Sequence, residues 1–241
     1  LRQPTCYAIA TIDEFFMPYW APKNPKYAKK LRYVPDPGEL HVVNKMAARS
    51  TLGLTADAQV VLVYGSLSCR KGVAELLRAT ALSNRKIVAL LAGAADKEIR
   101  DLLSSPDVKA RVASGDVYVI DAYLDPGQEQ QVFSAADVVW LGYARDFYGQ
   151  SAVLAQAASA DRPVLSRIGG LIGQTTQAHQ LGLCVDPNDR FAVLAALESL
   201  QTNPSLLQGF SVGAALFAPK RRAVAYGAAM LNCLPVTHTA Q

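Results

Sequence analysis

The sequence predicts an α/β protein: one doubly wound, six-stranded parallel sheet with helices on both faces, followed by a helical C-terminal tail. Three observations predict it. Short apolar runs recur at Val60–Tyr64, Ile87–Ala92, Val117–Ile120, Val138–Leu141, Pro163–Leu165 and Leu183–Val185, each bounded by turn-forming residues. Segments with helical spacing separate them, such as Val73, Leu76, Leu77 and Ala81, or Val132, Phe133 and Ala136. The runs are also apolar throughout rather than alternating, as a strand covered on both faces requires, and parallel neighbours need right-handed crossovers to connect them. This is a Rossmann-like layout.

Taken in order, residues 1–38 read as a linker or the remnant of a preceding domain. Val34-Pro35-Asp36-Pro37-Gly38 marks the boundary, because two prolines remove backbone donors and the glycine permits a turn. Residues 39–235 form the sheet domain, opening with a helix near 39–50. Beyond Asn188 the pattern is all-helical, with Phe191–Leu200, Pro204–Gly213 and Pro219–Leu234 as three helices, the first two packing on the sheet edge. Residues 236–241, with His238, read as a disordered tail.

Composition narrows the function classes. A chain of 241 residues with 51% apolar content removes roughly 70–75% of its unfolded surface from water, enough for one large core. Cys6, Cys69, Cys184 and Cys233 show no paired spacing, and His41, His179 and His238 are the only histidines, so neither a zinc cluster nor a disulfide framework is expected. His41 and His179 read as surface residues. The net charge of +4 is carried by residues 1–33, where six cations face Asp13 and Glu14; the rest of the chain is balanced, which argues against a nucleic-acid surface. Tyr19, Trp20, Tyr27 and Tyr33 among those cations would suit weak contact with an anionic membrane surface, and a solvated linker with its aromatics packed on a neighbour is the plainer reading. No apolar run approaches the roughly 20 residues that span a bilayer. The expected location is cytoplasmic, at most peripheral at the inner membrane face, and the leading Leu1 suggests a fragment or processed product.

A strand order of 3-2-1-4-5-6 would place a ligand crevice beyond the carboxyl ends of the first and fourth strands. The loop after the first, Gly65-Ser66-Leu67-Ser68-Cys69-Arg70-Lys71-Gly72, joins glycines, hydroxyls and two cations at a helix start, a chemistry suited to phosphate. It matches neither the P-loop spacing nor the dinucleotide fingerprint. The loop after the fourth strand, Gly142 to Ser151, runs into an alanine-rich helix from Ala152, whose first amides near Gln150, Ser151 and Ala152 would face the first loop. Ser151 capping only its own helix is the bland alternative.

These blocks resemble the C-terminal domain of GT-B retaining glycosyltransferases of the group 1 family. Val61–Gly72 resembles that family's strand, Gly-Arg-Leu-Ser-x-x-Lys-Gly loop and helix, and Ser134–Leu141 its Ala-Ala-Asp-hydrophobic strand. Gly149–Val164, then Gly169-Gly170-Leu171-Ile172-Gly173, then Leu181–Asp189 follow in the family's order and spacing. The resemblance implies that Lys71 stabilises the charge of a donor diphosphate, with Ser66, Leu67, Arg70, Gln150, Ser151 and Ala152 around it. It places Ala122 and Tyr123 at the nucleobase, Gln156 at the ribose, and Tyr148 and Gly149 at the sugar. The substrate would be a nucleoside-diphosphate sugar of UDP or GDP type, used without metal or other cofactor. The acceptor, such as a glycan or lipid-linked glycan, would be held by an N-terminal domain, and the present chain alone would be inactive. Three positions depart from the family. Its loop arginine is Ser66, and its two glutamates spaced eight apart are Tyr148 and Gln156. Arg70 would in part replace the missing arginine, and Gln156 keeps an acceptor oxygen without the charge. A degenerate, non-catalytic nucleotide- or partner-binding module of the same fold is the alternative.

Overall fold

The computed structural model describes residues 6–235, so the expected tail at 236–241 and His238 lie outside the described residues. The chain opens with a short unit in which β1 (Ile9–Thr11) pairs parallel with β2 (Leu31–Tyr33) around two small helices, α1 (Phe16–Trp20) and α2 (Pro25–Ala28). The leader was expected to be solvated, yet Leu31 and Val34 are buried, and Glu14 reaches both His179 (2.8 Å) and Arg221 (3.3 Å). Its cohesion comes from the chain's far end: Arg221 also donates to the Tyr33 hydroxyl, and Arg32 to the Asn232 carbonyl. Contacts at such sequence separation leave no local signature.

Helix α3 (Lys45–Leu52) starts six residues later than 39. Before it the backbone has no regular secondary structure and is held where the Leu40 amide meets Ser159 Oγ and the Val43 amide meets Ser134 Oγ. The Asn44 side chain then accepts from the Ala47 amide as an N-cap, and Gly53 ends the helix in the left-handed conformation.

The main sheet follows: β3 (Gln59–Tyr64), α4 (Val73–Thr80), β4 (Ile87–Ala92), α5 (Lys97–Leu103), α6 (Pro106–Ala113), β5 (Val117–Ile120), α7 (Pro126–Ala135), β6 (Val138–Leu141), α8 (Ala152–Ser159), β7 (Val164–Arg167), α9 (Gly170–Ala178) and β8 (Gly182–Val185). All neighbours are parallel in the order β5-β4-β3-β6-β7-β8, the doubly wound arrangement expected. Along β3, Val60 and Leu62 enter one apolar cluster with Phe133, Leu154 and Ile172, whereas Val61 and Val63 enter the opposite one with Leu76, Ile99 and Leu197. Period-two side-chain alternation therefore fills two cores from one continuous apolar run. At 25 cal/mol per Å² of apolar surface, each fully buried Leu or Val contributes roughly 1.5–3 kcal/mol, so these two layers dominate stability.

Strand β7 runs two residues past Leu165, because Ser166 and Arg167 are buried and paired despite being polar. In the tail, α10 (Arg190–Thr202) packs on α4 and on the edge strand β8, while α11 (Pro204–Phe217) passes from one core, at Leu206 and Phe210, to the other, at Ala214 and Phe217. A 3-10 turn over Ala218–Arg221 delays α12 (Ala223–Leu231) relative to the expected start at Pro219.

Candidate functional site

The crevice begins where two strands part. β3 pairs with β4 along all of Gln59–Tyr64, but with β6 only at Val61 and Leu62, so the carboxyl ends of β3 and β6 diverge at the topological switch point. The loop after β3 fills one wall. Its 3-10 turn, Cys69–Lys71, closes on Gly72, whose φ of +67° is costly for other residues and whose α-hydrogen faces the Gly142 carbonyl so closely that a Cβ would overlap it. That contact brings the loop after β6 against the loop after β3. Trp140 fastens the pair by donating its indole N–H to the carbonyls of Lys71 (2.9 Å) and Gly72 (3.1 Å), and the Ala144 amide donates to the Arg70 carbonyl (2.8 Å).

Lys71 sits in the middle of this construction and is only 7% exposed. Its Nζ donates to the Tyr64 carbonyl at 2.5 Å and lies 3.4 Å from the Tyr143 hydroxyl, which is 2.9 Å from Ser151 Oγ at the start of α8. One phenol thus joins the lysine of the first loop to the serine of the second. Among the described residues no carboxylate lies within ion-pair distance of Lys71. Burial, followed by the neighbouring Arg70 charge, lowers its pKa to about 8. A buried cation with only neutral partners is held at a cost that an anion would relieve, and one of its three N–H donors remains to meet it. Burial likewise raises the Tyr143 phenol, with the Ser151 hydrogen bond opposing.

The other expected site residues fall into three groups. Ser66 is exposed at the mouth of the crevice, and Arg70 lays its guanidinium over the stacked rings of Tyr143 (5.6 Å) and Phe147 (4.8 Å). Leu67 does not offer its amide: it is fully buried, donates to the Ala94 carbonyl (2.9 Å) and accepts from the Asp96 amide (2.9 Å), a bridge that ties the loop to the end of β4. Ser151 does not cap α8 with its hydroxyl, which is spent on Tyr143; instead Gln150 Oε1 accepts the Ser151 amide (3.2 Å) while Gln150 Nε2 donates to Thr175. The Ala152 amide heads the helix with its side chain exposed, free of any intrahelical acceptor. Tyr148 and Gly149 are exposed on the loop rim, and Ala122 and Tyr123 (91% exposed) follow β5.

Sequence reasoning missed the residue that shapes the second loop. Arg167, buried at the end of β7, donates one guanidinium nitrogen to the carbonyls of Ala144 (2.8 Å), Arg145 (2.8 Å) and Phe147 (2.9 Å). An arginine two residues past the apolar run Pro163–Leu165 was the available signal. A cavity of about 560 Å³ lies at the opposite end of the sheet, lined among others by Lys45, Arg49, Asp137, Arg162 and Gln201. Two of its cations are already matched, since Asp137 binds both Lys45 and Arg49. Lys71, buried without a carboxylate partner, lies in the crevice, and the crevice is the candidate site.

Comparison with known proteins bears on the family and the fold. No family model matches the chain. The D-inositol 3-phosphate glycosyltransferase of Streptomyces coelicolor is 32% identical over 185 residues, covering 72% of this chain and 39% of that protein. Among solved structures, HepE of Anabaena in complex with UDP-glucose superposes with a TM-score of 0.72 at 16% identity, covering 95% of this chain and 64% of that one. The C-terminal domain of a group 1 glycosyltransferase, LpcC of Francisella tularensis, superposes with a TM-score of 0.60 at 17% identity, covering 78% of this chain and 96% of that domain. The chain is a glycosyltransferase relative with the fold of a GT-B C-terminal domain. It spans about two fifths of the length of the curated relatives it matches. No described helix of this glycosyltransferase relative is long and apolar enough to cross a membrane.

Proposed function

We propose that this chain is the donor-binding half of a glycosyltransferase, gripping the diphosphate of a nucleoside-diphosphate sugar between the loops after β3 and β6. The observation that carries the reading is Lys71: buried, without a carboxylate partner, and joined through Tyr143 to Ser151. That HepE is solved with UDP-glucose supports a nucleotide sugar as the ligand class.

In this reading, breaking the sugar–oxygen bond leaves negative charge on the departing diphosphate. Lys71, Arg70 and the amides at the start of α8 meet that charge with groups already fixed by Trp140, Arg167 and Gln150, so little reorganisation accompanies the reaction. A lysine with a lowered pKa is held protonated more firmly as the anion approaches, which couples its charge to the transition state. Leu67 contributes shape rather than a donor. The acceptor would be held by further parts of a longer protein, and the present chain would bind nucleotide without transferring sugar.

The test is a thermal-shift panel of UDP, GDP and ADP with their glucose conjugates. A ligand at 100 times its Kd stabilises by about 2.7 kcal/mol, which raises Tm by several degrees at roughly 2–4 °C per kcal/mol for a domain of this size. A rise with one base identifies the donor class; no rise with any member would refute the reading.

A further inference from the structure

Three groups that the diphosphate site does not use meet beside it. Gln156, on the second turn of α8, donates its side-chain N–H to Glu129 Oε1 at 2.5 Å. Glu129 stands in the first turn of α7. Tyr64 completes the set: its ring packs edge-on against Phe133 (5.0 Å), and burial followed by its hydrogen bond to Glu129 raises its phenol well above the ordinary value. All three side chains are partly buried, so the cluster is neither a solvated surface pair nor a closed core pair.

The topology fixes where the cluster lies. Tyr64 is the last residue of β3, and the carbonyl of the same residue receives Lys71 Nζ. Helix α7 begins three residues after Tyr123, on the loop that follows β5. The cluster therefore sits between the diphosphate loop and the Ala122–Tyr123 loop, the interval that a pentose must occupy when its base and its phosphates reach those two walls. Its chemistry is that of an acceptor. A carboxylate has about four lone-pair sites; Gln156 and Tyr64 use two, and the Gln156 side-chain oxygen has no donor among the described residues. What remains is an edge of acceptors, pinned from below by two donors, and a pair of vicinal hydroxyls is its natural complement.

Resting on the donor-binding reading, we infer that Glu129, braced by Gln156 and Tyr64, is the carboxylate that accepts hydrogen bonds from the ribose hydroxyls of the bound nucleotide. The negative charge missing at Gln156 is thus supplied from the neighbouring helix, and Gln156 acts as a positioning residue that orients it.

The experiment is calorimetric titration of the 241-residue chain with UDP, GDP and ADP, each beside its 2′-deoxy counterpart, in wild type and in Glu129→Gln, with a second variant, Tyr64→Phe. The glutamine is nearly isosteric and Tm checks that the variants fold. Wild type should favour the ribonucleotide by about tenfold, the size expected for a hydrogen bond to a charged acceptor, and Glu129→Gln should reduce that ratio to within about twofold; Tyr64→Phe should reduce it part-way. A ratio unchanged in Glu129→Gln, or no discrimination by wild type, overturns the assignment alone. Failure of wild type to bind any of the nucleotides overturns the donor-binding reading and this assignment with it. A UDP-glucose arm separates the two diol sources: a Glu129→Gln loss seen with UDP-glucose but not with UDP would move the carboxylate to the hexose and sink the ribose assignment.

Discussion

The two ends of the β3–β6 seam carry similar charges and use them oppositely. At the amino end, Asp137 binds Lys45 and Arg49, at 2.5 Å for the arginine, and also accepts the Val60 amide at 2.7 Å. Arg49 spends its remaining donors on the carbonyls of Ala135 and Ala56, and Arg162 on those of Phe133 and Ser134. Lys45 and Arg49 share the Asp137 carboxylate, and this group locks α3 to the sheet. At the carboxyl end, Lys71 is as deeply buried but finds only a carbonyl and a phenol. A buried charge with its counter-charge is a strut; one without it is a receptor for an anion, because the desolvation cost is left for a ligand to offset.

Substitutions at the two ends should separate cleanly if this contrast is real. Lys71→Met should lower nucleoside-diphosphate affinity by about a hundredfold, the scale of losing one member of a desolvated charge pair, while leaving Tm unchanged or raised; calorimetry and thermal melts on the same sample check both halves. Asp137→Asn should do the reverse, costing about 2–3 kcal/mol of stability as two cations lose their partner, with nucleotide affinity intact. A variant that moved both quantities together would erase the contrast.

Proton linkage sharpens the comparison further. The folded-state pKa of Lys71 is lowered to about 8, so the native state sheds this proton before the unfolded state does. The penalty is fully present below about 8 and is relieved as pH rises toward the unfolded lysine value, so stability measured without ligand should increase over that window. Diphosphate affinity should move oppositely, falling as pH rises through about 8 at up to about tenfold per pH unit, since the anion needs the protonated form. Lys71→Met should abolish both slopes. The smallest expected effect belongs to the bridge: Tyr143→Phe removes the hydroxyl between Lys71 and Ser151, and should weaken diphosphate binding by about fivefold, near 1 kcal/mol for one net hydrogen bond. Because the ring is kept stacked on Phe147, the fold should not change.

Legibility in the sequence was uneven for reasons visible at particular residues. The strands at Ile87–Ala92, Val117–Ile120 and Val138–Leu141 were readable to the residue, since burial on both faces writes an unbroken apolar run. The loop after β3 was readable as well, because Gly72 is demanded by its close approach to the Gly142 carbonyl. The start of α3 was not, as its delay depends on Ser134 and Ser159 holding the chain from about 90 and 120 residues away. Leu67 was placed at the diphosphate by the family resemblance, although its amide is committed to Ala94. Arg167 and Glu129 lay in no motif, and what Trp140 and Gln156 do within theirs depends on a partner on another element.

The sequence by itself determined the period, order and polarity of the elements, and with them the crevice at the strand reversal, because these follow from local spacing and the handedness of crossovers. Only the tertiary structure decided which cation is left without a counter-charge, which amides are already engaged, and which carboxylate stands beside Gln156. Those are questions of pairing between distant residues, and pairing is set by three-dimensional packing that no local pattern records.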